Sequence, residues 1–144
     1  MRASTRKYIA ADADKLSKLF AELGYPCSTE KITTRLEQLI VHPDYYLLVL
    51  ENDHQIIGFC GMCKMMFFEH EGYYMRILAF VIDSDYRKHG YGSKLLRDAE
   101  NFALMQGCNI ITLNSGNREE RNIAHQFYQS NGYNIKSSGF IKEI

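Results

Sequence analysis

The amino-acid sequence predicts an α+β (mixed α/β) domain built on one central, mostly antiparallel sheet flanked by helices. Three observations carry this. The apolar runs "YYLLVLE", "QIIGFCGMCKMMFF" and "YYMRILAFVID" follow one another with only "NDH" and "EHEG" between them, the spacing of an antiparallel meander. The third run hands over, through Gly90 and Gly92, to a helical pattern that leads into another apolar run, "NIITLNS". A strand, a helix and a strand in that order give a parallel crossover. The chain has 144 residues, 46% hydrophobic and 24% charged, which suits a single domain over 1–144 with a sizeable core.

At the start, "STRKYIAADA" is a short strand that ends at Asp12 or Asp14, both suited to cap a helix. Ala13, Leu16, Leu19, Phe20 and Leu23 recur at helical spacing, and Gly24 closes that helix. A turn at "YPCST" leads to a second amphipathic helix, marked by Ile32, Leu36, Leu39 and Ile40, which stops before Pro43. The three meander strands come next. From Ser93, the positions Leu95, Leu96, Ala99, Phe102 and Ala103 trace one face of a third helix, and Gly107 ends it. "NIITLNS" is a buried strand, "REERNIAHQFYQSN" a fourth helix ended by Gly132, and "GYNIKSSGFIKE" supplies one or two closing strands. The order is βααβββαβαβ, without repeat, linker or low-complexity stretch.

Charge and composition exclude several function classes. With 17 basic and 17 acidic residues the formal net charge is zero, which argues against a chain built mainly to coat nucleic acid and leaves a local basic patch open. No apolar run approaches the ~18 residues of a membrane helix. "MRASTRKYIA" is basic but lacks the apolar segment of a signal peptide, so a cytoplasmic location is expected. "CGMC" at 60–63 is a CxxC, which raises redox and zinc chemistry. It lies inside a strand, where residues three apart point to opposite faces, and it has no second ligand pair at similar spacing. Cys27, Cys60, Cys63 and Cys108 therefore read as core residues or free thiols, with no metal expected.

The segment "FVIDSDYRKHGYGSKLL" is where the sequence is most informative. Gly90 and Gly92 lack a Cβ, so a bulky ligand can approach the backbone there. Successive N–H groups in such a turn, followed by a helix N-terminus, make an anion nest. Arg87, Lys88 and His89 add positive or potentially positive side chains. A phosphate or pyrophosphate is the expected guest. A dinucleotide fingerprint would need a third glycine where Leu95 stands, and the lysine-containing nucleotide loop is absent. For a bare GxG, an ordinary strand-to-helix turn remains the alternative.

The flanking residues decide between them. "R-K-H-G-Y-G" resembles the [RQ]-x-x-G-x-[GA] loop of the GNAT superfamily of N-acetyltransferases. "R-N-I-A-H-Q-F-Y-Q-S-N-G-Y" is similar to that family's second block, which reads like N-x-x-A-x-x-[LF]-Y-x-x-x-G-[FY]. "VIDSDYR" looks like its fourth strand and exit, "IIGFCGM" like its third strand, and "LGYPCSTEKITTRLEQLI" like the two N-terminal helices of a bacterial single-domain subgroup. The resemblance covers nearly the whole chain, with two blocks in the right order and spacing. One departure stands out. The family's Asn, seven residues before the Tyr, falls here on Arg121; Asn122 is one residue off, about 100° around a helix.

The resemblance implies the GNAT fold, with its splayed pair of parallel strands, and acetyl-CoA as donor. It implies that Lys88, His89, Gly90, Tyr91, Gly92 and Ser93 receive the pyrophosphate on their N–H groups, with Arg87 beside them. The pantothenate arm would pair with backbone at Phe80, Val81 and Ile82, while Asn114 and Ser115 line the other side. Arg121 or Asn122 would supply the second cofactor contact. By family position Tyr128 is the acid for the departing thiolate, whose alternative reading is a core aromatic. An N–H of Val81 or Ile82 could meet the oxyanion.

No base is singled out. Glu69, His70 and Glu71 lie in a turn, His125 lies one helical turn before Tyr128, and a water chain could also serve. Arg76 stands where some relatives carry a catalytic Glu. The implied partner is a small-molecule or peptide amine. Tyr45, Tyr46, Tyr73 and Tyr74, with Phe67 and Phe68, could form an acceptor wall, core, or the face of a homodimer. The rival function is a non-catalytic acyl-CoA sensor that keeps the loop.

Overall fold

The structure, a computed structural model, describes residues 2–115 and 121–144. The chain divides into two compact units, Met1–Thr112 and Leu113–Ile144. The first contains β1 (Ser4–Lys7), a 3₁₀ turn (Ala10–Lys15), α1 (Ser17–Leu23), α2 (Thr29–Ile40), β2 (Tyr45–Asn52), β3 (Gln55–Met66), β4 (Tyr73–Ile82), a second 3₁₀ turn (Ser84–Tyr86) and α3 (Tyr91–Met105). β5 (Cys108–Leu113) ends at the start of the second unit, which also holds α4 (Asn122–Ser130).

The five strands form one sheet in the order β1-β2-β3-β4-β5. The first three pairings are antiparallel, and β4 lies parallel to β5, as the strand–helix–strand order predicts. The meander forms where the sequence puts it, because each apolar run is long enough to pair and each turn short enough to reverse the chain. Asp53 and His54 take φ of 50° and 66°, the left-handed pair that lets a two-residue turn match strand twist.

Alternation along the strands divides the core. Leu47 and Val49 of β2, Phe59 of β3 and Val81 of β4 face Leu16, Leu19, Ile32 and Leu36. α3 buries Leu95, Leu96, Ala99, Phe102 and Ala103, and Phe102 meets Tyr46 edge-on at 5.0 Å.

Four expectations need correction. The first helix is not continuous from Ala13. Residues 10–15 are a 3₁₀ turn, and α1 begins only at Ser17. Neither Asp12 nor Asp14 caps it. β1 ends at Lys7, and Asp12 sits buried inside the 3₁₀ turn, accepting 2.9 Å bonds from both Arg6 terminal nitrogens and from the Ile9 N–H. α3 starts two residues before the expected Ser93, because Gly90, with φ of 83°, serves as its N-cap.

The closing strands at 132–143 are absent. Among the described residues of the second unit, 133–144 form no strand, and Ile135, Phe140, Ile141 and Ile144 are exposed. Gly139 and the charged Lys136, Lys142 and Glu143 weaken strand propensity there. The first residues expected in the fourth helix, 118–120, lie outside the described residues.

The Arg6–Asp12 pair gives a stability prediction. Arg6 hydrogen bonds hold the Asp12 carboxyl below the usual carboxylate range, aided by the Ile9 N–H and opposed by burial. Arg6 is one-third exposed and also pairs with Glu51 at 2.8 Å, so the loss should fall short of that for a fully buried pair. Asp12→Asn should lower stability in urea by about 2 kcal/mol at pH 7. A depressed carboxylate stabilises above its unfolded pKa of ~3.9, and that stability is lost as pH falls through the lower folded value. The gap between wild type and variant should therefore stay level from neutral pH down to about 5 and close below about 4.

Candidate active site

The glycine loop takes its shape from four residues with distinct jobs. Gly58 sets how closely β3 approaches the end of β4. A Cβ there would lie 2.8 Å from the Val81 carbonyl oxygen and 2.7 Å from Ile82 Cδ1, so only glycine lets the strands meet. This gives the "IIG" of β3 a steric cause. Asp83 N–H then bonds the Ile57 carbonyl at 2.7 Å, ending the pairing and turning the chain out of the sheet. Lys88 and Gly90, two residues apart, both have positive φ, 66° and 83°. A non-glycine residue held there is uncommon, and together they curl the backbone into α3.

The result is a ring of donors. The first bond of α3 runs from the Lys94 N–H to the Gly90 carbonyl at 3.1 Å. The N–H groups of Tyr91, Gly92 and Ser93 therefore have no acceptor within the helix, and they sit at its positive end. Lys88, His89 and Gly90 are exposed, while Tyr91, Gly92 and Ser93 are half-buried. A concave row of N–H groups with exposed cationic side chains is suited to bind an anion.

Arg87 is placed differently from a simple phosphate ligand. Its Nε donates to the Ile82 carbonyl at 3.0 Å, and its Nη2 lies 3.5 Å from Glu22 of α1. The side chain thus ties the loop to the end of β4. Phe80 is half-buried, and Val81 and Ile82 are buried at that end, opposite Cys60, Phe59 and Gly58 of β3. Just before them the ladder slips. Gly61 faces Ala79 but Met62 faces Ile77, so Leu78 is an extra residue. Such a bulge bends the strand and raises its twist, re-aiming the backbone of 79–82. A single residue of excess within an apolar run leaves no mark in the sequence.

In the second unit, Arg121 is the N-cap of α4 and Asn122 its first residue, exposed to solvent. Arg121 Nη2 approaches the Ser115 hydroxyl at 3.5 Å, and His125 Nε2 lies 3.3 Å from the Ser115 carbonyl. Asn114 is exposed, with its Nδ2 beside the backbone of Gly139. Tyr128 is half-buried, its ring edge-on to Phe127 at 5.3 Å and to Tyr133 at 6.0 Å.

The remaining candidates are spread out. Glu69, His70 and Glu71 occupy the β3–β4 turn, at the end of β4 remote from the glycine loop. His70 stacks on Phe67 at 4.0 Å, and its Nδ1 lies 2.8 Å from the Glu71 carbonyl. A cavity of about 520 Å³ opens there, lined by His70, Glu71, Tyr73, Leu104 and Asn109 among others. Tyr46 is half-buried against Phe102, whereas Tyr73 and Phe68 are exposed. The four cysteines are free thiols. Burial raises the thiol pKa of Cys60, far beyond its usual value, and of Cys63, the reverse of an activated redox pair. Among the described residues, no group of three or more His, Cys, Asp or Glu side chains could hold a metal ion.

Comparison with known proteins bears on this arrangement. The profile of the acetyltransferase (GNAT) family matches residues 13–133. The uncharacterized N-acetyltransferase YhdJ of Bacillus subtilis is 30% identical over 127 residues, 88% of this chain and 87% of its own. The crystal structure of a GNAT family acetyltransferase from Staphylococcus aureus superposes with a TM-score of 0.89 at 45% identity, over all of both chains. An aminoglycoside 6′-N-acetyltransferase from Acinetobacter haemolyticus shares the fold, with a TM-score of 0.80 at 18% identity over 98% of this chain and 99% of its own.

Proposed function

The chain belongs to the GNAT family and is an acetyltransferase; from that premise we propose that it moves an acetyl group from acetyl-CoA to a primary amine of a small molecule or peptide by direct attack. The observation that carries the donor assignment is the paired positive φ of Lys88 and Gly90, which opens a row of N–H groups at the start of α3. Pyrophosphate is the part of CoA such a cradle suits, and the residues present fit it. Lys88 to Ser93 would hold the pyrophosphate, Arg87 would brace the loop, and the ends of β4 and β5 at Phe80–Ile82 and Asn114 would guide the arm. Arg121 and Asn122 would complete the cofactor contacts.

The reaction follows from the chemistry of a thioester. The neutral amine attacks the acetyl carbonyl, the new C–N bond forms, and the C–S bond breaks. The Tyr128 hydroxyl supplies a proton or hydrogen bond to the CoA thiolate. A backbone N–H in the re-aimed segment of β4 meets the transient oxyanion. The attacking nitrogen loses its proton to water or to a nearby base. In this reading residues 1–144 form one N-acetyltransferase domain that works in the cytoplasm, without metal, membrane or nucleic acid. Release of free thiol from acetyl-CoA, followed across a panel of amines, aminoglycosides, amino acids and peptide N-termini, tests it. At least one amine should accelerate release well above hydrolysis; release that no amine accelerates would count against the amine-transfer reading.

A further inference from the structure

We propose that Lys18 and Glu22 of α1 are positioning residues that hold segment 83–87 so that the glycine loop is shaped to receive the CoA pyrophosphate; this rests on the acetyl-CoA reading above. The two side chains are one helical turn apart and share a face. They reach over the loop from more than sixty residues away in sequence, and each meets partners of complementary type.

Lys18 Nζ donates to Asp83 Oδ1 at 2.8 Å and to Asp85 Oδ2 at 2.7 Å. Glu22 accepts the Ser84 N–H at 2.8 Å and the Ser84 hydroxyl, and it faces Arg87. Asp83 Oδ1 also accepts the Asp85 N–H at 2.9 Å, and the Tyr86 hydroxyl donates to Gln55 at 2.8 Å. Every residue from 83 to 87 is thus tied to α1, to β3 or to the end of β4, just before the strained Lys88.

Exposure decides which ties matter. The Lys18 and Asp85 side chains are 51% and 74% exposed, so that pair contributes little. Glu22 and Asp83 are only 16% and 11% exposed. Burial raises the Asp83 carboxyl, but the Lys18 ammonium and the Asp85 N–H outweigh it and the carboxyl lies below its usual range. The ties that end on the sheltered Glu22 and Asp83 carboxylates therefore do most of the holding. α1 has only seven residues, too few to persist alone, so its position is fixed by packing and passes to the loop.

Local charge and positioning predict opposite signs for one substitution. Glu22→Gln removes a negative charge near an anion site, so charge alone predicts tighter CoA binding. It also weakens the clamp on Ser84 and Arg87, so positioning predicts weaker binding. CoA affinity, measured by calorimetry, should fall roughly tenfold, the size of one hydrogen bond to a charged group. The turnover number at saturating CoA should stay within about twofold, as for lost ground-state binding.

In protein without CoA, the Ser84 amide should exchange faster and the Gly90 and Gly92 amide resonances should shift. Lys18→Met should weaken CoA as well, whereas Lys18→Arg should keep wild-type affinity. Tighter or unchanged binding in Glu22→Gln, with wild type binding CoA, overturns the positioning role alone. A wild type that binds no CoA overturns the acetyl-CoA reading and this role with it, while the Ser84 exchange still reports whether Glu22 holds the loop.

Discussion

Gly90→Asp is expected to cut CoA affinity by about a hundredfold to a thousandfold while the protein stays folded. Any side chain at this left-handed position strains the backbone, and a favourable cap interaction has to offset that strain. Gly90 has φ of 83°, and aspartate and asparagine are the non-glycine residues that best tolerate that region. The helix itself gains, because Gly90 is the N-cap of α3 and a carboxylate there complements the helix N-terminus. Thermal stability should thus change little. What changes is the charge facing the ligand. Two unit charges 4 Å apart at an effective dielectric near 20 repel by ~4 kcal/mol, about a thousandfold, and salt screening lowers this. Gly90→Asn separates the causes, since it adds nearly the same bulk without charge. By calorimetry it should lose far less affinity than the aspartate variant. Equal losses would make sterics the cause, and unchanged binding in both would remove the loop from the cofactor site.

Much of this was legible in the sequence, for physical reasons that differ by element. The meander shows because apolar runs of strand length are separated by turns too short for anything but reversal. The glycine loop shows because Gly90 marks a left-handed turn that few other residues follow, whereas Lys88, the other left-handed residue of the loop, carries no such mark. Other features leave no local trace. Asp12 looks like the N-cap of a helix, yet it lies inside the 3₁₀ turn, where its carboxylate accepts the Ile9 N–H and pairs with Arg6 of β1, a partner that local sequence does not reveal. The bonds from Lys18 and Glu22 to the loop are made by tertiary packing between residues 62 to 67 apart in the chain. At the C-terminus the failure runs the other way. "GYNIKSSGFIKE" carries apolar residues at strand-like spacing, but spacing supplies no partner for the backbone, and 133–144 stay without a ladder.

Tyr128→Phe is the sharpest test of the chemistry, because it deletes one hydroxyl and little else. The Tyr128 ring packs edge-on between Phe127 and Tyr133, and its carbonyl accepts the Tyr133 N–H at 3.0 Å. Phenylalanine keeps these ring and backbone contacts, so the helix packing and CoA affinity should be largely retained. Turnover should fall. General acid catalysis is typically worth about 10²–10⁴-fold. The acid–base match places this case toward the lower end. A phenol of pKa ~10 giving a proton to a thiolate of pKa ~8.5 runs uphill by ~1.5 units, or ~2 kcal/mol, so the hydroxyl helps more as a hydrogen-bond donor than by full transfer. The expected loss is therefore about a hundredfold in turnover number. The pH profile adds a second signature. An acid acts only while protonated, so wild-type turnover should decline on the alkaline side as the tyrosine ionises, and that limb should vanish in the variant. The acidic limb, set by the need for a neutral amine, should remain in both. A variant with wild-type turnover across this range would leave Tyr128 as packing in α4 and shift the search for the proton donor to water.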